Sequence, residues 1–250
     1  MTKDRLPKSH PRLRLPHQPN LVIAVVVFVS GFLAIKYNFP TVAGCTTLAG
    51  SLFGAGAAFI GAWVADRNRM TTEESERSKH QEAAIKFLAP ELARIAGRLV
   101  HILDRATVNF SVESVKLGNP QLAVIGTNDS AVTFKVPQPI LFPSAPAFRD
   151  LATEDATMLV NFYDSLREIS GAVEDWSEGK IPWDVNAFNV LMHMARQSAQ
   201  LGTIAVNRFC PEIQYSPLMP ASGKLIERLQ KSITHVDDVL KIHIDRLNKK

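Results

Sequence analysis

LVIAVVVFVSGFLAI at residues 21–35 and TVAGCTTLAGSLFGAGAAFIGAWVA at residues 41–65 are uncharged apolar runs, joined by the short link of residues 36–40. At ~1.5 Å per residue the first run spans roughly 22 Å, short of a ~30 Å hydrocarbon core. Lys36 can snorkel, and Tyr37 and Phe39 can sit at the interface, which adds a turn. The second run is long enough to span with some tilt and carries Trp63 near its end. Pro40 suits the first turn of the second helix. So short a link makes the two helices antiparallel. The reading is a two-helix transmembrane hairpin, with helices over about residues 20–37 and 41–65.

The flanking charges orient it. Residues 1–19 form a basic, Pro-rich tail with Lys3, Arg5, Lys8, Arg12 and Arg14 against only Asp4. Arg67 and Arg69 follow the second run, and only Lys36 lies between. The positive-inside rule then places both termini in the cytoplasm, and a bacterial inner membrane is the natural setting. The whole chain has 28 Lys+Arg and 24 Asp+Glu, but beyond residue 20 the two signs balance one for one. A balanced domain lacks the clustered basic surface of a nucleic-acid binder, so lipid is the expected partner of the tail.

The second run is rich in small residues. Gly50, Gly54, Ala57, Gly61 and Ala65 recur at three- and four-residue spacing, which lets another helix approach closely. Two partners fit this face: the first helix of the same hairpin, or a second copy of the chain. A pore-lining role is less suited, because the two runs offer water only hydroxyls such as Ser30, Thr46, Thr47 and Ser51 and no ionisable side chain. A lipoprotein signal ending at Cys45 is disfavoured, since residues 36–40 interrupt its apolar stretch.

After the hairpin comes DRNRMTTEESERSKHQEA at residues 66–83, a polar helical stalk. Thr71 and Glu74 have capping-box spacing, which predicts a fresh helix there. Glu73 with Arg77 and Glu82 with Lys86 are i,i+4 pairs. Residues 84–250 read as a helical domain. Ile85, Leu88, Leu92, Ile95, Leu99 and Ile102 repeat at seam spacing, with Pro90 on the outward side. Residues 108–147 hold five prolines and predict an irregular insertion. Residues 122–125 and 131–136 are candidate extended pieces, and Ile140, Leu141, Phe142 and Phe148 are suited to docking the insertion as a flap.

Three more helices are predicted. One covers about 153–176, capped by Thr153, with Leu159, Phe162, Leu166, Ile169, Val173 and Trp176 inward. The next covers about 184–208, with Phe188, Leu191, Ala195 and Ile204 inward. The last starts near Ser222, with Ile226, Leu229, Ile233, Val236, Leu240 and Leu247 inward and His243 at the remaining seam position. The expected fold is mostly α: a transmembrane hairpin followed by a cytoplasmic antiparallel bundle of about four helices.

No dinucleotide, phosphate-loop, nucleophile-elbow, zinc-protease or CxxC motif is present in the sequence. Cys45 and Cys210 have no metal-ligand spacing and read as inert thiols. The densest polar cluster is His235, Asp237, Asp238 and His243, which reads as a polar helix face rather than a metal or acid–base site. No catalytic, cofactor or metal site is therefore assigned. The expectation is a non-enzymatic, membrane-anchored scaffold or sensor. Its bundle would bind an unidentified protein partner, and its second helix would support homo-oligomers. The alternative is a pore-forming or membrane-perturbing protein gated by the bundle.

Overall fold

In the computed structural model the described residues are 19–36, 43–118, 129–180, 182–215 and 223–248. They form six α-helices: α1 (Pro19–Lys36), α2 (Ala43–Gly118), α3 (Ala131–Phe134), α4 (Thr153–Ser177), α5 (Val185–Phe209) and α6 (Leu225–Leu247). The mostly helical expectation holds, and among the described residues no strand forms. Residues 1–18 of the expected tail, residues 37–40 of the link and the extended piece at 122–125 lie outside the described residues. The chain divides into two compact units, Met1–Glu76 and Arg77–Lys250, each considered by itself.

In the first unit α1 packs on α2 through aromatic contact. The Phe28 and Phe53 rings stack at 4.7 Å between centroids. A Cβ on Gly56 would come within 3.2 Å of the Phe28 Cβ, so the close approach depends on that glycine. Among the described residues, no helix is long and apolar enough to cross a membrane. The transmembrane character expected of this hairpin therefore has no support there.

Two expectations about α2 need correction. The helix does not restart at Thr71; it is continuous through Pro90, which is exposed within it. The hydroxyls of Thr71 and Thr72 both donate to the Asn68 carbonyl at 2.9 Å, so they bond back into the helix instead of capping a new one. Lys86 pairs with Glu82 at 2.8 Å as expected, but Glu73 takes Arg69 at 2.7 Å and not Arg77.

In the second unit α2, α4, α5 and α6 surround one core. Leu88, Leu92, Ile95, Leu99 and Ile102 are buried, with Ala96, Val100, Leu103 and Ala106 beside them. That face is wider than a two-stranded seam and belongs to a helix contacted on several sides. All six predicted inward residues of α4 are buried. On α5, Phe188, Leu191 and Ala195 are buried, but Ile204 is 54% exposed, because it stands about half a turn round the helix from Ala195, while Gly202, Ala205 and Val206 are buried. A Cβ on Gly202 would sit 3.0 Å from the Phe162 ring, which brings α4 and α5 close. Asp184 caps α5 by accepting from the Ala187 N–H at 2.9 Å. Thr153 does not cap α4; it is that helix's first residue.

The insertion expected from residue 108 begins later, because α2 continues to Gly118; its described part, from residue 129, is a strap laid along α2. Arg105 grips Asp129 at 2.7 Å, and the Asn109 amide donates to the same carboxylate at 2.8 Å. Arg98 donates to the carbonyls of Val132, Thr133 and Lys135, and Arg94 to that of Gln138. Glu91 then accepts three successive N–H groups, from Ile140 (2.5 Å), Leu141 (2.7 Å) and Phe142 (3.1 Å). These α2 residues share one stripe, and the strap runs against the direction of the helix. Residues 131–136 are consequently not a strand: with their backbone held by side chains of α2, they make the turn of α3 and a short extended exit. Phe142 is the docked side chain, stacked on Tyr163 at 4.3 Å, whereas Ile140 is 78% exposed.

The strap sets the direction of the bundle. It brings the chain back to the Glu91 end of α2, where Tyr163 of α4 lies beside Glu91. From there α4 runs to Trp176, which meets Trp183, and Trp183 meets Phe134 of the strap. So α4 runs in the same direction as α2. Helix α5 runs opposite to α4, with Asp155 on Arg208 and Phe162 on Gly202. Helix α6 follows α2, with Arg228 on Asp104 and His243 on Phe110. The expected all-antiparallel bundle is corrected: three helices share one direction.

Burial raises the Asp129 carboxyl pKa, but hydrogen bonds from Arg105 and Asn109 and the Arg105 charge outweigh it and hold the carboxyl below its ordinary 3.8. A lowered carboxyl pKa stabilises above its unfolded value and loses that effect as pH falls through the folded one. Strap attachment at this end is therefore predicted to persist from neutral pH to near pH 4 and to weaken below it. Asp129→Asn should abolish this acid dependence and speed tryptic cleavage after the exposed Lys135 several-fold at pH 7. Unchanged cleavage would remove Asp129 from the strap's attachment.

Candidate functional site: the cleft between α2 and α6

The polar cluster singled out on the last helix does not converge. Asp237 pairs with Arg196 of α5 at 2.8 Å. His243 packs edge-on against Phe110 of α2 at 5.1 Å. His235 and Asp238 instead line a cleft of about 460 Å³ with Asp104, Arg228, Lys231 and Ser232. The spacing explains this split. Residues 228, 231, 232, 235 and 238 recur at three and four along α6 and so share a stripe, which Asp237 and His243 leave.

Arg228 organises the cleft. Its guanidinium donates to Asp104 at 2.6 Å and lies over the Tyr215 ring at 5.8 Å. Its Nε is buried without a partner, as is the hydroxyl of Ser232, a residue only 2% exposed. An unpaired buried polar group costs on the order of 1–3 kcal/mol, so two in one cleft is an unfavourable arrangement for the chain alone. Lys231, His235 and Asp238 are exposed, and none makes an ion pair among the described residues. Ser232, His235 and Asp238 follow each other at i, i+3 and i+6, yet no hydrogen bond joins them among the described residues. They lack the donor–acceptor contacts of a nucleophile and its base.

A second cleft of about 350 Å³ lies between the strap and α4, walled by Val136, Pro137, Phe142, Tyr163 and Arg167. Burial, and then the Glu91 charge, push the Tyr163 phenol well above its ordinary value, so it remains a protonated donor. Burial pushes the Cys210 thiol up to about 11, which leaves little thiolate near neutral pH and matches the inert reading of that residue. Burial, together with the charges of Arg98 and Arg105, lowers the pKa of His101 and favours its neutral form. Among the described residues no His, Cys, Asp or Glu group is placed to hold a metal ion.

The small-residue face is exposed along its length. Gly50, Gly54, Ala57, Gly61 and Ala65 all lie on the outside of α2. A Cβ on Gly50, Gly54 or Gly61 would meet nothing within 4 Å among the described residues. The glycine that α1 uses is Gly56, which the spacing argument passed over.

Two elements escaped the sequence reading. The Asp104–Arg228 pair joins residues far apart in the chain, and nothing local marks them as partners. Glu91 did carry a signal: it stands three residues after Leu88 and four before Ile95, so an acid sits at inward spacing. No protein-family model, curated protein or solved structure matches this chain.

Proposed function

We propose that the chain is a membrane-anchored binding protein that acts by recognition rather than catalysis. In this reading α1 and the start of α2 sit in the inner membrane with both termini cytoplasmic, and the bundle offers its α2–α6 cleft to a partner. The observation that carries the anchor is the outward placement of large apolar side chains. Val25, Val26, Val29, Phe32 and Leu33 of α1 and Phe59 of α2 are exposed in the first unit, and those of α1 recur at three- and four-residue spacing along one helix. A contiguous apolar surface of that kind requires a non-aqueous neighbour. Helix α1, with Lys36 as its one charge, is apolar on every side, unlike a helix packed at a protein surface.

The test is alkaline carbonate extraction of the full chain from cell membranes. The chain is expected in the pellet, and Val26→Asp combined with Phe32→Asp should move most of it to the supernatant. Recovery of the unaltered chain in the supernatant would overturn the anchor.

We also assign self-association to the exposed face of Gly50, Gly54, Ala57, Gly61 and Ala65, since α1 uses Gly56 instead. Replacing Gly50 and Gly54 together by Leu keeps α2 apolar but blocks close backbone approach. Cross-linked dimer in membranes should then fall several-fold; an unchanged yield would contradict this role.

A further inference from the structure

The α2–α6 cleft contains opposite charges that the fold leaves unmatched. Asp104 already neutralises Arg228. One cation, Lys231, and one anion, Asp238, remain unpaired among the described residues. They stand seven residues apart on one stripe of α6, about 10 Å along the axis at ~1.5 Å per residue. Arg228, whose Nε is buried and unpartnered, and Ser232, whose hydroxyl is likewise, line the same cleft, and among its described lining residues Asp238 is the one acid outside the Asp104–Arg228 pair. A simple anion drawn to Lys231 would enter a cleft that also holds Asp238, and a simple cation drawn to Asp238 would meet Lys231. A ligand bearing both charges satisfies both ends.

The spacing restricts that ligand. A free amino acid holds its charges too close together to span two helical turns. An extended tripeptide covers roughly 10 Å at ~3.3–3.6 Å per residue. The cleft, at about 460 Å³, is within the range of small-ligand sites. His235 lies between the two ends, where it can hydrogen-bond a peptide group.

We propose that this cleft binds short zwitterionic peptides by their two termini. The terminal carboxylate pairs with Lys231, and the terminal ammonium pairs with Asp238. The inference rests on the reading of the bundle as a binding module and is independent of the anchor.

The test is isothermal titration of the full chain in detergent with triglycine, triglycine amide, N-acetyl-triglycine, glycine and inorganic phosphate. Triglycine should bind saturably, and blocking either terminus should weaken it about tenfold, a typical loss for one charge-assisted contact. Lys231→Ala should weaken triglycine similarly while adding little to the effect of the amide; Asp238→Ala should do the same for the acetylated peptide. Both residues are exposed and unpaired, so the variants should unfold at the temperature of the parent chain. The proposal is overturned if triglycine does not bind, if both variants bind it unchanged, or if glycine or phosphate binds as well. A chain that stays in carbonate-washed membranes but ignores triglycine overturns this inference alone. One that binds triglycine but washes off overturns only the anchor.

Discussion

One carboxylate holds the second unit in its particular form. Glu91 is nearly buried, and such a group is tolerated only where donors surround it. Its oxygens take three consecutive N–H groups of the strap, and Tyr163 lies beside it. The contact fixes both the register of the strap on α2 and the point at which Phe142 enters the core. Without a return along α2, α4 would have to begin at the far end of the bundle and run the other way. The shared direction of α2, α4 and α6 is thus a consequence of where one strap is tied down. The arginines above Glu91 act as further ties, all to main-chain carbonyls of the strap or to Asp129.

That arrangement also creates the candidate site. Two helices running side by side in one direction bring Asp104 to Arg228 and Phe110 to His243, and between those contacts the cleft opens. The charged groups of the cleft come from one stripe of α6, which carries Arg228, Lys231, His235 and Asp238. Binding at such a site depends on charge placement more than on enclosed apolar area, which suits a small polar ligand.

The parts of this fold legible in the sequence are those governed by local periodicity. Leu88 to Ile102 and Leu159 to Trp176 announce their inward faces by spacing alone, and burial follows it. Ile204 lies off that periodicity: nine positions beyond Ala195 is about half a turn round the helix, whereas steps of three, four and seven lead to the buried Ser198, Ala199 and Gly202. Thr71 shows a second limit. A hydroxyl with capping spacing is equally able to bond back within a continuous helix, and the strong helix formers around it favour continuity. Residues 131–136 show a third. Their conformation is held by Arg98, more than thirty positions away, so no local propensity describes it. The site was partly visible, as a His and Asp cluster on the last helix, but its other wall, Asp104, could not be paired with it before the direction of α6 was known.

The central claim is that the Glu91 contact locks the strap to α2. Native-state hydrogen exchange at the Ile140, Leu141 and Phe142 amides tests it most directly, because each is bonded to that carboxylate and to no helix ladder. All three amides should be slowed at least ~100-fold relative to a free peptide, equivalent to roughly 3 kcal/mol of opening free energy. Glu91→Gln should remove most of that protection while the α5 amides remain slow. Exchange at free-peptide rates in the unaltered chain, with α5 protected, would contradict it.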